Sequence, residues 1–461
     1  MSNIFHEFYD TLKENEKDLL IQGSGSTSKD KNEKIRAGQS YLYKKQGMES
    51  EVVEVRFKEK VSGSALTIAI TQTRKRYPYF RTKLVEKNGD FYIVQNRNTL
   101  TARKSKKLAR LGHVSVGNHL IDVTYHENTI FISFHHALCD GRGIMPFIET
   151  LIYYYGKQRY KTQTVPEGVR LRNDPLLPGE TVDPFMQGYD FDPNKEFISL
   201  SRDAFSIPEN VPSTEPTDYR CEIKVSNRDF MRVCKENNAT PVILVSLLMS
   251  RAIAEMYPDY DKPINANIAA DMREALDCPN TYKNCVKSMI LPYSREFSQK
   301  TLKEQATEHR EILKAQRDRD YCRKEANAML GLFNKLDSLP SFEEKQKIMA
   351  YFDSFLLNTY VISYLGQFRL GQNAKYVKEM YFYNSGAAGL GINMIACEDS
   401  FCINFKQSFA SNKYARAFCA QLDKMGIGYT VGEMIPFLTP TDSIMKRNKK
   451  EKETEKKNER N

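Results

Sequence analysis

Apolar and polar residues alternate along two neighbouring stretches of the chain. Leu120, Asp122 and Thr124 interleave with Ile121, Val123 and Tyr125, the polar turn His126-Glu127-Asn128 follows, and residues 129–135 resume a β-branched and aromatic pattern. Period two on both sides of a polar turn predicts a β-hairpin. The pattern then changes. After Asp140-Gly141-Arg142-Gly143, the residues Ile144, Phe147, Ile148, Leu151 and Tyr155 recur at intervals of three and four, which predicts strand, tight glycine turn and helix in succession.

Elsewhere the same reading predicts a helix over 4–20 that ends in the Gly/Ser run 23–28, a strand over 51–57 and a helix over 65–74. That helix carries Leu66, Ile70 and Thr73 on one side and stops at Tyr77-Pro78, because proline disfavours helix in the residue before it. Residues 166–216 turn to Pro, Asp, Asn and Gly and read as a connection between two lobes. Beyond it come a strand near 219–225, a helix over 241–256 and a strand over 264–270. Two charged helices follow between 299 and 357 with a break at Pro340, then strands over 359–365, 391–395 and 401–405 and a helix over 413–425. The organisation expected is an N-terminal helix and linker (1–28), an N-terminal lobe (29–165), the connection (166–216), a C-terminal lobe (217–440) and a charged disordered tail (441–461). No repeat of solenoid or propeller length is visible.

Charge sharpens this picture. The chain has 461 residues with 68 Lys or Arg and 58 Asp or Glu, a formal net charge of +10. The stretch 446–461 contributes +4, and the run Arg103, Lys104, Lys106, Lys107, Arg110 contributes +5. The remaining surface is near neutral, so neither a nucleic acid nor a membrane is needed to explain the charge. With 41% apolar and 11% aromatic residues the body can fill sizeable cores. The longest apolar run, 242–249, is well short of the roughly 20 residues that cross a bilayer. Glu7, Asp10, Glu14, Glu16 and Asp18 leave the first residues unlike a secretory signal, so a cytoplasmic protein is expected. Nine cysteines without a CxxC pair suggest neither a disulfide framework nor a metal site.

The chemistry concentrates in His135-His136-Ala137-Leu138-Cys139-Asp140-Gly141. Strand alternation puts Ile130, Ile132, Phe134 and His136 on one face and Phe131, Ser133 and His135 on the other. His136 lies at the strand end before a glycine turn, where a rigidly held side chain can line a cleft. An imidazole titrates near neutral pH and can act there as a general base. Asp140 suits shaping the turn or pairing with a distant cation. The plainer reading of a histidine on an apolar strand face is a satisfied core residue. Other signals are weak: Gly386-Ala387-Ala388-Gly389-Leu390-Gly391 precedes a strand and fails the dinucleotide fingerprint, and P-loop, GxSxG and HExxH patterns are absent. The remaining histidines, 6, 113, 119, 126 and 309, have no ligand spacing, and Tyr153-Tyr154-Tyr155 reads as helix packing.

The histidine segment resembles the HHxxxDG motif of the CoA-dependent acyltransferase superfamily. That superfamily includes chloramphenicol acetyltransferase, condensation domains of non-ribosomal peptide synthetases, plant acyltransferases, polyketide-associated acyltransferases and alcohol acetyltransferases. The sequence around it looks most like the alcohol acetyltransferase branch. Arg76-Tyr77-Pro78-Tyr79-Phe80-Arg81, Asp271-Met272-Arg273 and Ser363-Tyr364-Leu365-Gly366 resemble further segments of the superfamily in the expected order, over roughly residues 50 to 430. The chain departs from the plant branch in having no tryptophan, hence no DFGWG, and Tyr364 stands where many relatives have asparagine.

The resemblance implies an α/β fold of mixed sheets in two chloramphenicol-acetyltransferase-like lobes with an active-site channel between them. It also implies that a segment near 385–405 crosses to complete the first lobe's sheet. In the chemistry it implies, an acyl group, acetyl included, moves from acyl-CoA to the hydroxyl or amine of a small acceptor. His136 would be the general base, Asp140 and Gly141 would form the motif turn, Arg273 would pair with Asp140, and Ser363 would face the oxyanion. CoA would be a co-substrate and not a permanently bound cofactor. Arg103, Lys104, Lys106 and Lys107 read either as a solvated loop or as contacts to the CoA phosphates. Two alternatives stand beside this reading: a stand-alone condensation-type enzyme using carrier-protein thioesters, and a non-catalytic binding relative.

Overall fold

The computed structural model describes residues 33–438 apart from 45–48, 88, 201–202, 210–216, 354–357, 385–388 and 398. The helix expected over 4–20, the Gly/Ser run and the tail from 441 lie outside the described residues. In chain order the first elements are β1 (Glu33–Lys34), β2 (Ser50–Phe57), α1 (Gly63–Arg76), β3 (Thr82–Lys87) and β4 (Asp90–Gln95). Then come β5 (Arg103–Lys104), β6 (Ile121–His126), β7 (Thr129–His135) and α2 (Gly141–Arg159).

The hairpin read from alternation is β6 and β7, paired antiparallel with Val123 opposite Ile132. Glu127 makes the turn with φ of 48°, a left-handed conformation that closes so short a connection. Ile130, Ile132 and Phe134 are fully buried in a core shared with α1 and α2. Ser62 caps α1 by accepting from Ala65 N–H, and the helix ends at Tyr77, before Pro78.

No helix or strand interrupts the described residues of 161–209. The later elements are β8 (Thr217–Ser226), α3 (Asn227–Glu236), α4 (Pro241–Met256), β9 (Ile264–Asp271), β10 (Val286–Tyr293) and α5 (Leu302–Gln316). They continue with α6 (Arg319–Ser338), α7 (Phe342–Asp353), β11 (Tyr360–Gln367), β12 (Val377–Asn384), β13 (Leu390–Cys397), β14 (Ser400–Gln407), α8 (Lys413–Lys424) and β15 (Tyr429–Leu438). Where two charged helices were expected there are three. Besides the break at Pro340, Asp318 accepts from Asp320 and Tyr321 N–H and so starts α6 as a separate helix.

The strands form a five-stranded sheet in the order β12-β2-β7-β6-β5, a seven-stranded sheet in the order β10-β9-β11-β13-β14-β8-β15, and a small β1-β4-β3 sheet. The two large sheets are mixed. β11 runs parallel to β9 and β13, and β5 runs parallel to β6, while their other pairings are antiparallel. The seven-stranded sheet packs one face on α4, α5 and α8 in a second core, and its other face looks toward the five-stranded sheet.

A segment of the C-terminal half does cross to the first sheet, but it is β12, pairing with β2, and not the stretch near 385–405. β13 and β14, which occupy that stretch, form a hairpin inside the seven-stranded sheet. The reason is burial. Ile392, Met394, Ile403 and Phe405 belong to the second core, whereas Met380 and Phe382 fill the first, with Tyr381 and Tyr383 buried on the opposite side of β12.

Candidate active site

β7 ends at His135, and His136 opens the turn that leads into α2. The pleat separates the two histidines, as alternation requires: His135 Nδ1 accepts from Ala137 N–H at 3.0 Å, whereas His136 turns to the α2 side. His136 is 6% exposed, its backbone N–H donates to the backbone carbonyl of Glu49 at 2.7 Å, and the Tyr41 ring stacks on its imidazole at 4.2 Å. Tyr41 belongs to a 3-10 turn, Gln39–Leu42, in a segment held by the Arg36–Asp337 ion pair at 2.8 Å. Sequence reasoning did not foresee this cover, because nothing in the alternation of that segment marks it.

Asp140 caps α2 and is fully buried. Its Oδ1 accepts from Gly143 N–H at 2.7 Å and from Arg273 Nη2 at 2.8 Å, and its Oδ2 accepts from Cys285 N–H at 2.8 Å. Arg273 in turn donates to Asp271 Oδ1 at 2.8 Å, to Thr281 O at 2.9 Å and to Lys283 O at 2.7 Å. Burial opposes the guanidinium's charge, but Asp140 and Asp271 outweigh it and hold the group more firmly ionised than usual. The pairing expected of Asp140 and Arg273 is therefore present, and it joins the start of α2 to the loop between β9 and β10.

Close approach explains the two glycines of the turn. A side chain at Gly141 would meet Leu365 Cδ2 at 2.2 Å, and one at Gly143 would meet Tyr282 O at 1.9 Å. The Arg76–Arg81 segment supports the same loop. Arg76 makes two 2.8 Å bonds to Glu180 of the connection, and Tyr79 stacks on Tyr282 at 4.2 Å.

Ser363 is half-buried on β11, two residues before Leu365 on the same face, which is the face that looks toward Gly141. Tyr364 points to the other side, with the second core and 5.8 Å from Phe401, so its replacement of asparagine leaves the face of Ser363 unchanged. Asn393 is the strand partner of Ser363 and is 3% exposed, and its Nδ2 has no partner among the described residues.

Two further residues were missed. Glu51, on β2, is 5% exposed with Oε1 3.0 Å from His136 Nε2. Asn284 Nδ2 lies 3.4 Å from His136 Nδ1. Glu51 alternates correctly in its strand, so a charged residue on the core face was the available signal.

The basic run lies elsewhere. Arg103 and Lys104 form β5, the edge of the five-stranded sheet, and Arg103 is paired with Asp122. Lys104, Lys106 and Lys107 are exposed. A cavity of about 920 Å³ opens instead beside the end of β9, bounded by the N-terminus of α4 at Thr240 and by Asp271, Arg310, Lys314 and Arg317. Glu311 and Asp318 also line it. Asp318 shares Lys195 with Asp320 and Asp271 shares Arg273 with Asp140, so the cavity wall carries both signs, with Arg310 and Arg317 among its cations.

No protein-family model matches the chain, and no curated protein matches it in sequence. Solved structures do match in fold. TRI101 of F. sporotrichioides, solved in complex with coenzyme A and T-2, is 10% identical with a TM-score of 0.56, over 87% of this chain and 100% of that one. TRI3 trichothecene 15-O-acetyltransferase from Fusarium sporotrichioides is 12% identical with a TM-score of 0.51, over 88% and 97%. The first condensation domain of the CDA synthetase is 10% identical with a TM-score of 0.53, over 87% and 96%. The chain has the two-lobed fold of CoA-dependent acyltransferases and condensation domains. No single described helix is long and apolar enough to cross a membrane.

Proposed function

We propose that this protein transfers an acyl group from a thioester, acyl-CoA in the first instance, to the hydroxyl or amine of a small acceptor. The observation that carries this reading is the clamp around the motif turn. Asp140, buried and bonded to Gly143, Arg273 and Cys285, fixes the turn that follows His136 at the end of β7. In this reading His136 removes the acceptor's proton as the oxygen or nitrogen attacks the thioester carbonyl, then returns it to the departing thiolate. Ser363 and Asn393 Nδ2 on the adjoining strand, which has no partner among the described residues, supply donors for the oxyanion.

The cavity beside β9 suits the nucleotide end of CoA. A helix N-terminus and the guanidinium groups of Arg310 and Arg317 converge there, and both favour phosphate. The cavity wall at Asp271 is bonded to Arg273, the partner of Asp140, so it adjoins the motif turn. The test is thiol release from a panel of acyl-CoAs and acyl-carrier thioesters with mixed alcohol and amine acceptors, read by mass spectrometry. Turnover of acyl-CoA supports the proposal, turnover of carrier thioesters alone transfers it to the condensation-type reading, and turnover of neither overturns both.

A further inference from the structure

Two thiols meet at the neck of the loop that carries Arg273. The loop runs from the end of β9 at Asp271 to the start of β10 at Val286, and Cys278 Sγ lies 3.9 Å from Cys285 Sγ across it. Both cysteines are buried, at 5% and 0% exposure. Backbone bonds fix their positions. Cys278 N–H donates to Arg273 O at 3.0 Å, and Met272 N–H donates to Cys285 O at 3.0 Å. A disulfide needs a sulfur separation of about 2.05 Å, so the pair must close by about 2 Å to form one.

The two sulfurs are unequal. Burial pushes the Cys234 thiol up to about 12, the ordinary response of an enclosed cysteine. Cys278 moves the other way: a hydrogen bond from Cys285 Sγ–H lowers it, burial opposes that, and the Arg273 guanidinium adds to the lowering. The same hydrogen bond, together with burial, raises Cys285. Cys278 is thus the nucleophile of the pair, and Cys285 is the partner that keeps its proton. Cys278 also sits just beneath the surface, since its neighbours Asp277, Pro279 and Asn280 are exposed. A small oxidant reaches it with little movement of the loop.

We propose that Cys278 and Cys285 form a redox-active pair that a hydroperoxide converts reversibly to a disulfide, and that the disulfide displaces the clamp on the motif turn. The Cys278 thiolate attacks one oxygen of hydrogen peroxide. The S–O bond forms, the O–O bond breaks, and the departing hydroxide takes up the proton released from Cys278 and becomes water. Cys285 Sγ then attacks the sulfenic sulfur of Cys278. The S–S bond forms, the S–O bond breaks, and the hydroxyl leaves with the proton of Cys285 as a second water. Two electrons pass from the thiols to the peroxide, and a dithiol reductant reverses the change. The link to the turn is direct. Cys285 N–H donates to Asp140 Oδ2 at 2.8 Å and Cys278 N–H donates to Arg273 O, so the two cysteines are bonded to opposite members of the ion pair. Thr281 and Lys283, whose carbonyls accept from Arg273, lie between them in the chain. Drawing the sulfurs together therefore shifts the groups that hold Asp140. The effect on turnover rests on the acyl-transfer reading, whereas the chemistry of the pair does not.

For the test, the full chain is reduced, freed of reductant, treated with hydrogen peroxide, alkylated in denaturant and digested with trypsin. Cleavage after Arg273, Lys283 and Lys287 places the two cysteines on separate peptides, 274–283 and 284–287. These peptides are expected joined, and lighter by two hydrogens, in the oxidised chain, and apart and alkylated after dithiothreitol. Cys278→Ser should leave Cys285 open to alkylation after the same treatment. Peroxide that leaves both thiols alkylatable, takes Cys278 to the sulfinic acid without the link, or joins either thiol to a different cysteine overturns the pair. Those outcomes are read in the parent, so they stand whether or not the variant folds. Product formation from acyl-CoA is expected to fall on the order of 100-fold in the linked chain, the loss that a misplacement of about 1 Å brings, and to return on reduction. Unchanged turnover in the linked chain overturns the coupling to the turn. A reduced chain that turns over no thioester removes the acyl-transfer reading alone. Amide exchange at Gly143 and Cys285, whose N–H groups are bonded to Asp140, then decides the coupling: faster exchange in the linked chain supports it, and unchanged exchange overturns it.

Discussion

Asp140 Oδ1 accepts from Arg273 Nη2 at 2.8 Å and from Gly143 N–H at 2.7 Å, so one carboxylate oxygen serves both as the cap of α2 and as the tie to the seven-stranded sheet. Both side chains are buried. Removing one partner leaves the other charge without compensation, at a cost of about 3–5 kcal/mol. Arg273→Ala and Asp140→Ala are each expected to lose that much in urea denaturation and to lose activity with it. The double variant should be less destabilised than the sum of the singles, and additive losses would show that the two residues act independently.

His136→Ala removes the proposed base without touching the clamp. Its far-UV spectrum is expected to match the parent, while acyl transfer falls about 10²- to 10⁴-fold. Undiminished turnover in a folded His136→Ala variant would remove the catalytic assignment.

The hairpin, the turn and α2 were legible in the sequence because their signals are local: alternation, a glycine turn and a helical interval, all within residues 120–159. The Asp140–Arg273 pair was legible only through resemblance, since no periodicity links residues 133 positions apart. β12 was missed because Met380, Tyr381, Phe382 and Tyr383 are buried on both faces and show no alternation. Glu51 and Asn284 were missed for a related reason. Their meaning lies in a contact made by strand register and by a loop, neither of which is written into the neighbouring residues.

The two candidate sites for the CoA phosphates make opposite predictions. Arg310→Ala with Arg317→Ala is expected to raise KM for acyl-CoA about tenfold with kcat nearly unchanged, because the cavity contacts a part of the substrate remote from the bond being broken. Serine at Arg103, Lys104, Lys106 and Lys107 should leave KM as it is, since Arg103 is committed to Asp122 at a sheet edge. The reverse outcome would return the phosphate site to the basic run.

Lys406 provides a test of the interface between the sheets by pH. It is 2% exposed, with Nζ 3.3 Å from Asp218 Oδ2 and 4.4 Å from the Phe437 ring centroid. Burial lowers its pKa from 10.5 to about 7, Asp218 offsets part of that effect, and Arg220 adds to it. Between those two values the unfolded chain holds a proton that the folded chain has released, so this group makes stability rise with pH across that window. Below about pH 7 both states are protonated and the full cost of burying the ammonium is present. Lys406→Met removes the charge in both states. The parent is therefore expected to gain unfolding free energy relative to the variant as pH rises from about 7 toward 10, at about 1.4 kcal/mol per pH unit at most, read by urea denaturation of both. Curves that stay parallel across this range would mean that Lys406 titrates alike in the folded and unfolded chains, and that the polar groups between the sheets, Asp218 foremost, meet the whole cost of burying its charge.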